Sequence, residues 1–533
     1  ALGTRAQDVS TTANDNTALG YNTLGACTTG AENTIVGSGA GKEITTATHC
    51  VAVGYVALNE NQTGSNIVAI GNECLQKCTA GENVGVGFQA LEELTSGSQN
   101  TAVGNYALDS ITTGNYNTAV GYNALTDSSG ATSYNTAVGR SAGSSVTTGD
   151  SQVFIGYNSG SAITTGYHNT VIGRNAMLSA TTAHSSVVIG KQAGTSITTG
   201  SNNTIMGRNA AEDLTTGGQN VMIGTLAGGD LTTQQYNVFI GYEAGRKSTE
   251  SQCVAIGGLA MDNATDADSI TAVGYNALGS LTNGDRHVAV GKNALSSCTT
   301  SHANTAVGAN GLDAVTTGHE NTAVGEDAGG GITTGQYNTC LGHNCGTNLT
   351  TGFHNIIIGH SSFPAASSAS REIVIGTDID GIGNNYFTFG RNSVGRVYNQ
   401  YSSNASWTRS SDVRLKKDIQ TNTDLGLNFI NDLRTVTYKW KAPSELDPSL
   451  SNYDADETEA AHTGKMYGFI AQEVKQALDD NNVTDFNGWH VTDEDDAIQG
   501  ISYEMFVMPL VKAVQELSAE NTALKARLDA GGL

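Results

Sequence analysis

A glycine recurs at nearly constant spacing along the first three quarters of this 533-residue chain. It stands at Gly3, Gly20, Gly37, Gly54, Gly71, Gly87, Gly104, Gly121 and Gly139, and the series runs on to Gly376. Of its 22 intervals, 19 are 17 residues, two are 16 and one is 18. A period this strict over so many copies indicates a solenoid, in which every coil stacks on its neighbours and none can bury its apolar side alone. With strands stacked about 4.8 Å apart, some 22 or 23 coils give a shaft of roughly 110 Å.

The residue before each glycine is Leu, Val, Ile or Met, from Leu2 and Leu19 through Val120, Met206 and Ile240 to Ile375. Two residues earlier stands Thr, Val or Ile, as at Thr17, Val51, Thr118 and Ile373. Alternate residues share one face of a strand, so these two columns are expected to line the interior. Between them the residue is mostly Ala, with Phe154 and Phe239 among the exceptions. That second face is apolar too and is expected to be buried against another chain. Three residues after the glycine a small side chain, such as Ala57, Cys74, Ala124 or Ala277, suits a tight inner corner. Thr-Thr-Gly triplets, as in Thr112-Thr113-Gly114 and Thr333-Thr334-Gly335, read as turns whose glycine supplies a positive φ. Asn opens 14 of the strands, among them Asn100, Asn117, Asn220 and Asn338, and amides stacked in register form a hydrogen-bonded ladder. The repeat resembles the head repeats of trimeric autotransporter adhesins, and the resemblance implies a trimer of stacked parallel coils, a β-roll.

With 66 Gly but only 4 Pro the chain is no collagen. Against 26 basic side chains stand 50 acidic ones, a net charge of −24, so no nucleic-acid partner is expected. No stretch of 18 apolar residues occurs, and no membrane insertion is expected. The chain opens inside the repeat, at Ala1-Leu2-Gly3, so more protein is expected upstream. The eight cysteines fall on repeat columns, Cys50 and Cys253 at the Asn position and Cys74 and Cys345 at the small corner, and read as buried hydrophobes. Neither a metal nor a cofactor is expected. Gly37 to Lys42 mimics a phosphate-binding loop but lacks its glycine spacing and the Ser or Thr after the lysine. Tyr21, Tyr55, Tyr122 and Tyr157, each just after a repeat glycine, read as an exposed ladder rather than a sugar platform.

After Gly390 the period fails, which places the shaft at 1–390 and a polar connector at 391–410. Fourteen of the 26 basic residues fall beyond position 390, and 411–533 reads as an independent α+β domain with strands such as Arg434 to Trp440. Its last helix, about 503–530, sets Leu510, Val514, Leu517, Asn521, Leu524 and Leu528 four and three apart. That is a coiled-coil seam with one Asn at an a position, a device that fixes register and strand number.

Three ordered stretches then stand out: Ser411-Asp412-Val413-Arg414-Leu415-Lys416-Lys417-Asp418-Ile419, Tyr467 to Val474, and Tyr503 with Pro509 to Leu517. They resemble the C-terminal intramolecular chaperone of bacteriophage endosialidases and related tail fibres. The resemblance implies a domain that trimerises, templates the β-rich fibre before it, and cuts itself off. It places the cut between Ser410 and Ser411, with Ser411 as nucleophile, Lys416 as general base, and Asp412 and Arg414 in support. A hydroxyl is a poor nucleophile near its usual pKa, and a lysine made less basic by burial can take its proton.

The resulting expectation is a mainly β homotrimer, a phage tail fibre or tailspike on the virion, assembled in the host cytoplasm. Its partners are then its own copies, an upstream tail component and a host-surface receptor, with glycans among the candidates. The only chemistry expected is one self-cleavage, with no external substrate. Two alternatives remain open, a bacterial trimeric surface adhesin and a solenoid spike that binds or depolymerises polysaccharide. The first calls for amphipathic strands of a membrane barrel, the second for an acidic cluster in one groove.

Overall fold

The computed structural model describes residues 1–401, 408–409, 413–450, 453–460, 464–493 and 497–531. The chain forms two compact units, Ala1–Ser410 and Ser411–Leu533. The first is a β-solenoid of about 22 turns with coils of about 17 residues. Each coil carries one three-residue strand, from Thr17–Leu19 to Ile356–Ile358. Each strand pairs in parallel with the one a coil further on, so that Thr118, Ala119 and Val120 face Thr136, Ala137 and Val138.

The interior is the reverse of the one expected from the strand pattern. The middle residue of the strand faces inward: Ala52, Ala119, Phe154 and Phe239 are wholly buried, whereas Val53, Val120 and Ile155 beside their middle residues are 37% to 38% exposed. A strand of three residues that turns back at once encloses too little room for two β-branched columns. It takes one inward side chain, and the rest of the core comes from the turn.

That turn contributes a leucine four residues after the glycine, and Leu58, Leu108, Leu125 and Leu278 are fully buried. In the three coils with the bulkiest unbranched or aromatic middle residues this leucine gives way to glycine: Phe154 goes with Gly160, Met222 with Gly228 and Phe239 with Gly245. A Cβ on Gly160 would stand 2.3 Å from the Phe154 ring, and one on Gly245 would stand 2.5 Å from the Phe239 ring. The two positions share one volume, as close-packed interiors require.

Up to three non-glycine residues in a coil adopt the left-handed conformation, for example Tyr116 (φ 60°), Asn123 (φ 55°) and Leu125 (φ 53°). Each such residue costs about 1–2 kcal/mol. Bonds between coils offset that cost: the N–H groups of Tyr116, Asn123 and Leu125 donate to Ser98, Asn105 and Ala142 carbonyls at 3.2, 3.1 and 3.1 Å. The glycine after the strand is constrained twice. Gly121 has φ 141°, and a Cβ there would meet the Gly139 carbonyl oxygen at 2.4 Å. The glycine of Thr-Thr-Gly differs from expectation. At Gly114 and Gly335 the backbone is not left-handed, but a Cβ would fall 2.0 and 2.6 Å from a carbonyl oxygen of the next coil.

The asparagine ladder forms as expected. Asn117 is buried, and its Nδ2 donates to Asn100 Oδ1 at 3.0 Å and to the Thr132 carbonyl at 2.8 Å. Its Oδ1 accepts the Asn135 backbone N–H at 3.0 Å, so one side chain joins three coils. At the last rung stands Glu372, also wholly buried, whose carboxylate accepts the N–H groups of Ala365 and Gly383 at 3.0 and 2.9 Å. Burial raises its carboxyl above the usual range in spite of those bonds.

All eight cysteines are buried and free, and desolvation pushes the Cys74 and Cys78 thiols up to about 12, which keeps them protonated and inert. Tyr122 and Tyr157 are exposed, but Arg140 stands between them, its guanidinium 5.7 and 5.8 Å from their ring centres. Past the repeat, strand Tyr386–Arg391 pairs in parallel with Ile373–Gly376 and turns back into Gly395–Gln400. Part of the stretch expected as a polar connector therefore extends the sheet.

Replacing Asn117 with Ala removes two donated and two accepted bonds and strands the Asn135 N–H, and it is expected to cost about 2–3 kcal/mol in denaturant unfolding. Phe154→Ala is expected to cost about 3–5 kcal/mol. Gly160→Leu alone should destabilise by overpacking, whereas added to Phe154→Ala it should restore part of the loss, a coupling that a double-mutant cycle measures.

Candidate functional site

In the second unit apolar residues at helical spacing gather around a knot of aromatic rings. Helix α1 (Leu427–Asp432) supplies Phe429, and helix α2 (Ala471–Asp480) supplies Val474, Ala477 and Leu478. These join Val483 and Phe506 in a buried core. Phe506 sits 5.3 Å from Phe469 and 5.2 Å from Phe486, centre to centre. Strand Val436–Tyr438 pairs antiparallel with Met466–Gly468, and Trp489–Asp493 with Ile498–Ile501.

The stretch Tyr467 to Val474 thus ends a strand and begins α2. The Phe469 N–H donates to Tyr503 Oη at 3.2 Å. A Cβ at position 468 would lie 2.2 Å from that oxygen, so Gly468 leaves the room in which Tyr503 settles. Helix α3 (Val507–Gly531) follows, with Pro509 and Ala513 buried. From the same helix the Glu516 carboxylate accepts the Leu427 N–H at 2.7 Å, which holds its carboxyl below the usual range, with Lys512 3.3 Å away. The second and third stretches are therefore brought together on one core.

Helix α3 keeps another face bare. Leu510, Val514 and Leu517 are 52%, 58% and 53% exposed, and Asn521, Leu524 and Leu528 are exposed further along. Leu510 also borders an apolar cavity of about 270 Å³, lined by Ile430, Leu433, Phe469 and Phe506 among others.

Ser410, on the other side of the expected cut, and Ser411 and Asp412 of the first stretch lie outside the described residues. From Val413 the chain makes a short 3-10 turn, Val413–Leu415, closed by the Lys416 N–H on the Val413 carbonyl at 3.1 Å. The turn buries none of its residues, and Arg414 and Lys416 are exposed. Val413, Leu415 and Ile419 are exposed as well, at 67%, 71% and 59%. Among the described residues of one chain, none buries Lys416.

Residues 411–483 match the family model described as the chaperone of endosialidase. No curated protein and no solved structure matches the chain. The matched segment holds the first two stretches. The third lies beyond its end and is tied to this endosialidase-chaperone segment by the bonds from Phe469 to Tyr503 and from Leu427 to Glu516. The latter tie, and the ion pair of Arg434 Nε with Glu473 Oε2 at 3.0 Å, went unread in the sequence. Both link residues dozens of positions apart, and no local spacing announces them.

Tyr503→Phe removes the acceptor of the Phe469 N–H. It is expected to cost about 1 kcal/mol and to speed hydrogen exchange at that amide, with the rest of the core amides little changed.

Proposed function

We propose that this protein is a tailspike-like or tail-fibre-like attachment protein of a phage. Its C-terminal unit assembles three chains, sets their register while the solenoid folds, and then cuts itself away. The observation that carries the reading is the junction itself: an endosialidase-chaperone segment begins at residue 411, directly after a β-solenoid unit that ends at residue 410. The exposed seam Leu510, Val514, Leu517, Leu524 and Leu528 supports assembly through α3, as apolar heptad positions do when helices pair.

In the proposed cleavage Ser411 Oγ attacks the carbonyl carbon of Ser410 while Lys416 Nζ takes the hydroxyl proton. The C–N bond between the two residues breaks, and its nitrogen leaves as the amine of Ser411 after receiving that proton. Water then hydrolyses the Ser410 ester, leaving a carboxylate at Ser410 and the free hydroxyl of Ser411. A lysine serves as base only when desolvation favours its neutral amine. The bare side chains of Val413, Leu415 and Ile419 around Lys416 suit closure by other copies, which would couple cutting to assembly. Asp412 and Arg414 hold the turn in this scheme. The released shaft remains on the virion, joined to an upstream tail component and presented to a host-surface receptor, with surface glycans the first class to test.

Intact mass and denaturing gels of the expressed chain are expected to show fragments 1–410 and 411–533, and only the whole chain for Ser411→Ala and for Lys416→Ala. Sedimentation of both variants as trimers would show that cutting, and not assembly, was lost. An unmodified chain that stays whole in a folded trimer overturns the cleavage and leaves a permanent cap.

A further inference from the structure

The inversion of the strand faces leaves a long surface without a covering. Both strand positions that flank the buried one point outward, and the later of the two is Val, Leu, Ile or Met in every coil. Just over half of these later residues are well exposed, Val53 and Val120 at 37% and Leu341 at 45% among them, and the rest, such as Ile240 and Val273, are half-buried. The earlier position is Thr, Val or Ile throughout. Neither column holds a charged residue in any coil, although the chain carries a net charge of −24. The surface is therefore a continuous apolar stripe, two side chains wide, as long as the repeat.

We propose that this stripe is where the shafts of three copies meet, each stripe turned to a common axis and the coils running parallel. The inference rests on the assembly reading above and names the face that carries it. Its area is on the order of 1,000 Å², above the ~800 Å² per partner of a standard specific interface and larger than the patches soluble monomers usually leave bare. Its chemistry offers only methyl groups and threonine hydroxyls, so an ionic or strongly polar ligand finds nothing to pair with. A partner that matches it must be apolar and repeated at the strand spacing of about 4.8 Å over its whole length. A second copy of this solenoid has that period. The acidic remainder of the surface repels other copies and leaves the stripe as the approach that costs least.

The stripe is tested on the full-length chain by replacing Val120 with the photo-cross-linking residue benzoylphenylalanine, and in a second variant Asp127, which is exposed but off the stripe. The substituted side chain points outward in both, so the coil interior is untouched. In chains that sediment as trimers, light is expected to join copies through position 120, giving bands at two and three chain masses. The adduct should fall on the outward strand residues of the same or an adjoining coil, and position 127 should give no such bands. Trimers in which position 120 yields no link between copies, or links no better than position 127, overturn the stripe and leave the assembly reading standing on α3. A chain that sediments as a monomer overturns both. As an independent arm, Val103→Lys with Val120→Lys is expected to abolish cross-linking from Val138 while leaving the circular dichroism of the coils unchanged.

Discussion

Every coil of the shaft is bonded through its backbone to the coils on both sides. The bonds are not confined to the three-residue strands. They include the turns, where Asn123 reaches Asn105 on one side and Leu125 reaches Ala142 on the other. This continuous bonding allows residues such as Leu125 to hold a left-handed backbone, a conformation leucine avoids when nothing repays it. It also sets the distance at which coils stack, and that distance requires glycine at Gly121 and again at Gly114. The asparagine ladder serves the same constraint inside: the turn carbonyls that point inward have no water to meet, and the amide of Asn117 meets one of them.

Once stacking is fixed, the interior becomes a question of volume. A coil this narrow accepts one inward residue from its strand, and its turns supply the rest of the core, as Ala107, Leu108 and Ile111 do beside Ala102. Ala119 with Leu125 and Phe154 with Gly160 are two divisions of the same space. Only the middle residue of each strand turns inward, so the Thr, Val, Ile, Leu and Met on either side of it stand on the outside, which gives the shaft a charge-free face. Packing within the coil thus determines what the shaft can meet beyond itself.

Near-identical coils carry a folding hazard that bears on the proposed role of the second unit. A coil slipped by one repeat finds almost the same strand, ladder and glycine, so little energy separates the right register from a wrong one. A unit with its own aromatic core and non-repeating sequence can fix a starting point that the shaft lacks. On the proposed reading, cutting at Ser411 would then leave the shaft held by the barrier to unfolding rather than by its template.

Period, glycine columns and asparagine ladder were legible in the sequence, because each expresses a contact between equivalent residues 17 apart and so repeats in the text. The three stretches of the last unit were legible for another reason: they are family motifs, and residues 411–483 match that family. Which strand face is buried was not legible, since both faces are apolar and only the width of the closed coil decides between Ala119 and Val120. The exchange of Leu for Gly opposite Phe154 and Phe239 was written in the sequence, yet its meaning depends on side chains meeting across the interior. The bonds of Glu516 and Tyr503 depend on the fold alone. They join residues 89 and 34 positions apart, and only tertiary structure brings such distant groups within hydrogen-bonding reach.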